Sequence, residues 1–220
     1  MEKRAYKDAV YGQLADVTKA LANPRRLEIV DLLAQGEFAV EDIARETGLS
    51  VANASQHLQV LKGVQLVSAT RDGHYLRYRL ANPDVYAAWQ LLRTYGLTRQ
   101  ASIARVVQDF RTQRDVLETL TIDELLVKLD GEGVVLLDVR PTEEYRQGHL
   151  PRAVSMPLDE LLDRLGELPR AGLIVAYCRG PFCVFADEAV QQLRQRGYPA
   201  VRLEEGFPDW QHRQLPVETV

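Results

Sequence analysis

The chain has 220 residues, 46% hydrophobic and 26% charged, which suits a soluble globular protein of two modest domains or one larger one. No apolar run approaches the roughly 20 residues needed to span a bilayer, and the first residues mix acid and base ahead of an amphipathic helix, so neither a membrane anchor nor a secretory signal is expected. The net charge of −4 is unevenly spread: residues 1–100 carry 13 basic against 11 acidic side chains, and residues 101–220 carry 14 against 20, which points the basic surface at the N-terminal half. Both cysteines, Cys178 and Cys183, lie within one short stretch. Without a secretory signal, that usage fits a reducing, cytoplasmic compartment and thiol chemistry rather than a structural staple.

Taken in order, Tyr6, Val10, Leu14, Val17 and Leu21 recur at helical spacing, so a first helix is predicted to about Ala22. Asn23-Pro24 supplies an N-cap and a first-turn proline for a second helix that Gly36 ends. A short helix over Val40–Thr47 stops at Gly48, and Ser50 caps the next, Val51–Lys62. Two helices joined by Thr47-Gly48-Leu49-Ser50 make a helix-turn-helix. The second has a polar face of Asn53, Ser55, Gln56 and Gln59, with Val60 and Leu61 expected in the core. A hairpin follows, Gln65–Thr70 and Tyr75–Leu80 around an Asp72-Gly73 turn. Leu76, Tyr78 and Leu80 alternate with Arg77 and Arg79, so one face packs while the other offers guanidinium groups to a phosphate backbone.

The phrases Ala20-Leu21-Ala22-Asn23-Pro24-Arg25-Arg26-Leu27 and Ser55-Gln56-His57-Leu58-Gln59-Val60-Leu61, with Leu49-Ser50 and the hairpin, resemble the arsenical-repressor (ArsR-like) family of dimeric winged-helix regulators over about residues 8–95. The resemblance implies an N-terminal, mainly-α winged helix-turn-helix whose helix from Val51 enters the major groove of a double-stranded DNA operator. It places the DNA contacts at Val51, Asn53, Ser55, Gln56 and His57, with Arg71, Arg77 and Arg79 on the wing. A helical domain that only dimerises is the alternative. Metal-sensing members place cysteines in the helix before the recognition helix; this chain has Glu37-Phe38-Ala39-Val40-Glu41 there. A thiolate metal site is thereby excluded from the N-terminal half, although an oxygen- or nitrogen-ligated one is not; neither a resident metal nor a cofactor is expected.

Helical periodicity returns from Pro83 to Tyr95 and from Thr98 to about Leu117. Ile103, Val106, Phe110 and Leu117 form a stripe flanked by Arg105, Asp109, Arg111 and Asp115, to be buried across a homodimer axis or on the C-terminal domain. Thr121-Ile122-Asp123-Glu124 is a capping box that opens a new helix. The expected organisation is therefore a winged helix over residues 1–97, a helical connector over 98–118 and a second domain over 119–220.

In that second domain, strand-like Val134–Leu137, Ala153–Met156, Leu173–Tyr177 and Ala200–Leu203 alternate with helices near Pro141–Gln147, Leu158–Leu165 and Val184–Arg196. The alternation predicts an α/β fold, a parallel sheet with helices on both faces, whose ligands bind beyond the carboxyl ends of the strands. The loop Cys178-Arg179-Gly180-Pro181-Phe182-Cys183 sits at such an end, before a helix N-terminus that favours a thiolate.

Leu137-Asp138-Val139-Arg140, Glu144-Tyr145, Gly148-His149-Leu150-Pro151, Tyr177-Cys178-Arg179, Gly206-Phe207-Pro208-Asp209-Trp210 and Leu215-Pro216-Val217 resemble the rhodanese domain along its length. The resemblance implies that Cys178 accepts a sulfane sulfur as a persulfide and passes it to a thiol acceptor. A free thiol of pKa near 8.5 is only about 3% thiolate at pH 7, and lowering it to roughly 6.5 raises this to about three quarters. The loop residues Arg179, Gly180, Pro181, Phe182, Cys183 and Val184 are the substrate-binding cradle, through backbone N–H groups and the Arg179 charge. Asp138, Arg140, Glu144 and His149 are read as braces rather than chemistry.

Thiosulfate-using members often carry Arg or Lys late in the loop, then Ser or Thr; here Phe182, Cys183 and Val184 stand there. That favours a polysulfide or small persulfide donor over a doubly charged oxyanion, and the missing arginine disfavours phosphatase chemistry. Cys183 is either a redox partner that closes a bridge to Cys178 or a small apolar residue of the first helical turn. Three functions follow: a transcriptional regulator sensing reactive sulfur or oxidants, a sulfurtransferase that uses its winged helix for dimerisation or targeting, and, more weakly, arsenite capture by the cysteine pair.

Overall fold

The computed structural model describes residues 2–114, 118–129, 131 and 133–220. The chain packs as two compact units, Met1–Trp89 and Gln90–Val220. The segment expected as a connector, residues 98–118, falls within the second, and Leu117 of its stripe and the flanking Asp115 lie outside the described residues.

The first unit contains α1 (Lys3–Leu21), α2 (Pro24–Leu33), β1 (Phe38–Ala39), α3 (Val40–Glu46), α4 (Val51–Gly63), β2 (Val67–Asp72), β3 (Tyr75–Leu80) and the start of α5 (Pro83–Arg99). The helix signals act as read. Asn23 Oδ1 accepts the N–H groups of Arg25 and Arg26 at 3.0 and 3.2 Å, and Ser50 Oγ accepts that of Asn53 at 3.3 Å. Ile29, Val30, Ile43, Ala54, Leu58, Leu61 and Tyr78 form the core, closed by Trp89 of α5, whose indole N–H donates to Asp31 at 2.6 Å.

Four details of this unit differ from expectation. Val60 is 45% exposed, because Ala54, Leu58 and Leu61 define the buried stripe of α4 and Val60 lies off it. The wing turn is centred one residue later: Asp72 pairs with Tyr75, so the two-residue loop is Gly73-His74, with Gly73 at φ +60° where a hairpin needs a left-handed residue. Leu76 of the packing face is itself exposed at the wing tip. The third strand, β1, pairs antiparallel with β3 and makes the order β1-β3-β2; at two residues it is too short to leave an alternation.

The second unit carries the rest of α5, α6 (Ala101–Thr112), β4 (Thr119–Leu120), α7 (Ile122–Leu129), β5 (Val134–Asp138), α8 (Thr142–Gln147), β6 (Val154–Ser155), β7 (Leu173–Tyr177), α9 (Val184–Gln195), β8 (Ala200–Leu203) and α10 (Phe207–His212). The five strands run parallel in the order β4-β8-β7-β5-β6. Period-two alternation divides the core. Ile174 and Ala176 of β7 face α9 through Ala186, Ala189, Val190 and Leu193, whereas Val175 and Tyr177 face α7 and α10 through Ile122, Leu125, Phe207 and Trp210. Cys178 continues the α9 side.

The helix expected over 158–165 does not form. After Pro157 the chain makes successive turns, Glu160 N–H to Pro157 O and Asp163 N–H to Glu160 O, and a 3₁₀ turn at Leu165–Glu167. Arg164 draws this segment together by binding Glu160, Glu167 and the Ser155 carbonyl, which favours tight turns over a straight helix. The connector breaks at Gln100, whose extended φ −105°, ψ 96° separates α5 from α6.

Candidate functional site

The N-terminal candidate is α4 with the wing. Gly48, at φ +63°, turns the chain between α3 and α4. The buried stripe of α4 leaves Val51, Asn53 and Gln56 exposed and Ser55 and His57 half-buried, so these five side chains occupy the free side of one helix. Gln59, in the same polar set, instead bonds the Tyr78 hydroxyl at 3.1 Å and ties α4 to β3. The wing arginines do not share a face. Arg77 and Arg79 alternate on one side, while Arg71 pairs with Leu76 and lies on the other. Arg77 is held by Asp72 at 3.0 Å, and Arg71 Nε donates to Gly73 O at 3.4 Å.

The C-terminal candidate is the loop between β7 and α9. Cys178 is 1% exposed, and Cys183 is half-buried at the N-cap position of α9. The two sulfurs form a disulfide across a Cα–Cα distance of 6.3 Å, inside the span such a bridge needs. The loop backbone is gripped from several sides. Phe207 N–H donates to Cys178 O at 3.1 Å, Arg202 Nη2 to Gly180 O at 3.2 Å, and Arg111 Nη2 to Pro181 O at 3.2 Å. In a planar trans peptide the Phe182 N–H then points opposite to the carbonyl that Arg111 holds. The Cys183 N–H, one of the expected cradle donors, is spent on Gly180 O at 3.1 Å. Phe182 and Val184 stand exposed beside the bridge, and Pro181 is half-buried.

Arg179 turns away from the loop. Its guanidinium makes a two-pronged contact with buried Glu144, with Nη2 to Oε1 at 2.5 Å, and lies 5.4 Å from the Phe185 ring. Its charge is therefore matched by a carboxylate, which weakens its pull on an anionic substrate. The other polar residues of the sequence motifs are braces. Asp138 and Arg140 are both fully buried and paired at 2.7 Å, with Arg140 also bound to Gly148 O. His149 Nδ1 lies 2.9 Å from Tyr145 O, and its ring stacks on Tyr145 at 3.7 Å. Burial and the nearby Asp138 carboxylate push the Tyr177 phenol well above its ordinary value, so it stays protonated while its oxygen accepts the Leu150 N–H at 3.1 Å.

Sequence reasoning missed a charged triad beneath the loop. Asp187, in the first turn of α9, pairs with Arg202 at 2.8 Å and Arg111 at 3.4 Å, all three largely or wholly buried. Burial, reinforced by the Arg111 charge and opposed by Asp187, lowers the Arg202 pKa to about 10. An arginine inside the apolar strand Ala200-Val201-Arg202-Leu203 is the one local signal that could have found it. Gly206 was noted as part of a motif without a reason: a Cβ there would stand 2.3 Å from the Arg179 carbonyl carbon, so only glycine lets this turn rest against the loop.

A cleft of about 520 Å³ opens at the carboxyl ends of β5 and β6, walled by Val139, Leu158 and Phe185 and rimmed by Glu143, Asp159 and Glu160. Glu160 is paired with Arg164 at 2.8 Å, so the negative charge of the rim comes from Glu143 and Asp159. Among the described residues, no group of three or more His, Cys, Asp or Glu side chains is arranged to hold a metal ion, and no helix is long and apolar enough to cross a membrane.

Comparison with known proteins agrees with both halves. Residues 23–69 match the bacterial regulatory protein arsR family, and residues 121–213 match the rhodanese-like domain family. The HTH-type transcriptional regulator Rv0324 of Mycobacterium tuberculosis is 44% identical over 212 residues, covering 96% of this chain and 93% of that protein. A sulfurtransferase of Allochromatium vinosum is 34% identical over 89 residues, 40% of this chain and 81% of its own length. The solution structure of the homodimeric winged helix-turn-helix DNA-binding domain of Mb0332 from Mycobacterium bovis is 46% identical, covers 46% of this chain and 91% of that one, and has a TM-score of 0.43. With an ArsR-type winged helix followed by a rhodanese-like domain, and near-complete overlap with Rv0324, the chain belongs to the family of HTH-type transcriptional regulators that carry a C-terminal rhodanese domain.

Proposed function

We propose that the protein is a homodimeric, DNA-binding transcriptional regulator that senses reactive sulfur or oxidants through Cys178, with Cys183 as its redox partner. The observation that carries the reading is the placement of the chain's two cysteines: both lie in the rhodanese-like loop, within bridging distance, while the DNA-binding half has none. The 44% identity to a transcriptional regulator over nearly the whole chain supports the DNA-binding part. Exposed Tyr6, Val10, Tyr11 and Leu14 on α1, with Ile103 and Val106 on α6, supply apolar surface for a two-fold partner.

The chemistry balances as follows. The Cys178 thiolate attacks the sulfane sulfur of a persulfide RSSH; the S–S bond breaks, RS⁻ leaves, and Cys178 carries –SSH. The Cys183 thiolate then attacks the Cys178 sulfur and expels hydrosulfide. Two protein thiols are oxidised to the bridge, and one sulfane sulfur is reduced to sulfide. The paired Arg179 and the exposed apolar Phe182 and Val184 beside the bridge support a small persulfide or polysulfide donor over the thiosulfate oxyanion.

The test is gel-shift binding to a duplex selected from a random-sequence pool, before and after polysulfide treatment. Altered affinity in the wild-type chain that is absent from Cys178→Ser, with basal binding retained, is the expected result. A Cys178→Ser variant that still responds refutes the assignment. The second reading, a sulfurtransferase with the winged helix for dimerisation or targeting, is favoured by the rhodanese-like match. Steady turnover without selection of any duplex would establish it.

A further inference from the structure

We infer that Cys183 is the site at which a low-molecular-weight thiol attaches to and reopens the Cys178–Cys183 bridge, forming a mixed disulfide on Cys183 and releasing Cys178 as the thiolate. The inference rests on the redox part of the reading above, and adds a modification site and a direction to it.

The two sulfurs of the bridge are not equivalent. Cys178 is 1% exposed, packed in the apolar cluster with Ile174, Ala176 and Ala186. Its backbone is held by Phe207 N–H, and the adjoining Arg179–Gly180 peptide lies against Gly206, so the environment of Cys178 has little room to open. Cys183 is half-buried, and both its neighbours, Phe182 and Val184, reach solvent at 41% and 36% exposure. Thiol–disulfide exchange needs the attacking thiolate to reach the struck sulfur, and access decides between two otherwise similar sulfurs.

The fold also suits the two products. Cys183 occupies the N-cap of a twelve-residue helix and makes no side-chain cap bond there, so a thiolated side chain at this position breaks no existing cap. The departing Cys178 thiolate is left beside the same helix N-terminus, which favours negative charge.

The step balances without an added oxidant. RS⁻ attacks Cys183 Sγ, an RS–S bond forms, and the Cys178–Cys183 bond breaks with its electron pair on Cys178. A second RS⁻ attacks the thiol-derived sulfur of the mixed disulfide and releases RSSR and the Cys183 thiolate. Overall, two RSH and the protein disulfide give RSSR and the protein dithiol, so the small-thiol pool resets the sensor.

Trypsin separates the two sites, because Arg179 lies between them: Cys178 falls in residues 171–179 and Cys183 in residues 180–194. The oxidised full-length chain, its bridge confirmed by intact mass, is treated briefly with 2-mercaptoethanol. It is then acid-quenched, alkylated and digested. The mixed disulfide is expected on residues 180–194, and the alkylated cysteine on residues 171–179, in about tenfold excess over the reverse pattern. Equal labelling, or a preference for Cys178, overturns the inference while leaving the bridge and the sensor reading intact. An air-oxidised chain in which both cysteines alkylate without reduction removes the bridge, and both readings of Cys183 fall with it.

Discussion

Replacing Gly206 by alanine isolates how tightly the thiol loop is clamped. Gly206 sits at φ −118°, ψ −175°, an extended conformation open to any residue, so backbone strain plays no part. The cost is steric. The new methyl would stand 2.3 Å from the Arg179 carbonyl carbon and 2.4 Å from both its oxygen and the Gly180 nitrogen, where ordinary contact begins near 3.4 Å. About 1 Å must therefore be found. The loop cannot simply retreat, because Arg202 and Arg111 hold the next two carbonyls.

Overpacking of this kind costs about 1–3 kcal/mol, and losing the Phe207 N–H to Cys178 O bond adds about 1 kcal/mol. A stiffer unfolded chain returns roughly 0.4–1 kcal/mol. The net expectation is a loss of about 2–3 kcal/mol, or roughly 5–10 °C in Tm. Urea titration followed by tryptophan fluorescence reads it, since Trp210 is buried in the helix that begins at this turn. Gly166→Ala, where a Cβ meets nothing within 4 Å, is the control and should stay within about 0.5 kcal/mol of the parent. A Gly206→Ala chain as stable as that control would show that the turn and loop do not press on one another.

Three further outcomes are expected. Arg202→Ala strands the buried Asp187 carboxylate on Arg111 alone and frees Gly180 O, for a loss of about 3 kcal/mol by urea titration; a change below about 1 kcal/mol would mean the triad is not a buried ion network. Asn23→Ala deletes the acceptor for two helix N–H groups and should cost about 1 kcal/mol, with Asn23→Ser near the parent; equal losses in both would refute the cap. Burial raises the Glu205 pKa above the ordinary carboxylate range, against the Ile122 N–H and Arg213 that favour its charge, with Asp209 adding to the rise. In the window between the unfolded and folded values, the native state binds more protons, so stability falls as pH rises through it. Glu205→Gln should therefore gain on the parent between acidic and neutral pH, and parallel stability–pH curves would contradict the shift.

Much of the architecture is legible from local signals. Asn23-Pro24, Ser50 and Thr121 act at helix starts because a cap needs only residues a few places along the chain. The parallel sheet is legible because Leu173–Tyr177 and its fellow strands each carry a short, bounded apolar run. The signal weakens where elements are shorter than their own period. Two-residue β1 and β4 leave no alternation, and the apolar spacing over 158–165 reads as helix although Arg164 folds that segment into turns.

The sequence by itself determined the family likeness of both halves, the cysteine pair and the face of α4 that carries Asn53 and Gln56. Only the tertiary structure decided what surrounds the thiols. Arg111, Asp187 and Arg202 come from α6, α9 and β8 and meet under one loop; Gly206 closes on that loop; Arg179, which looks like a free cation beside the thiol, is claimed by Glu144. The physical reason is that caps and periodicity are properties of neighbouring residues. A buried charge is tolerable only beside its partner, and which partner that is depends on how distant segments cross.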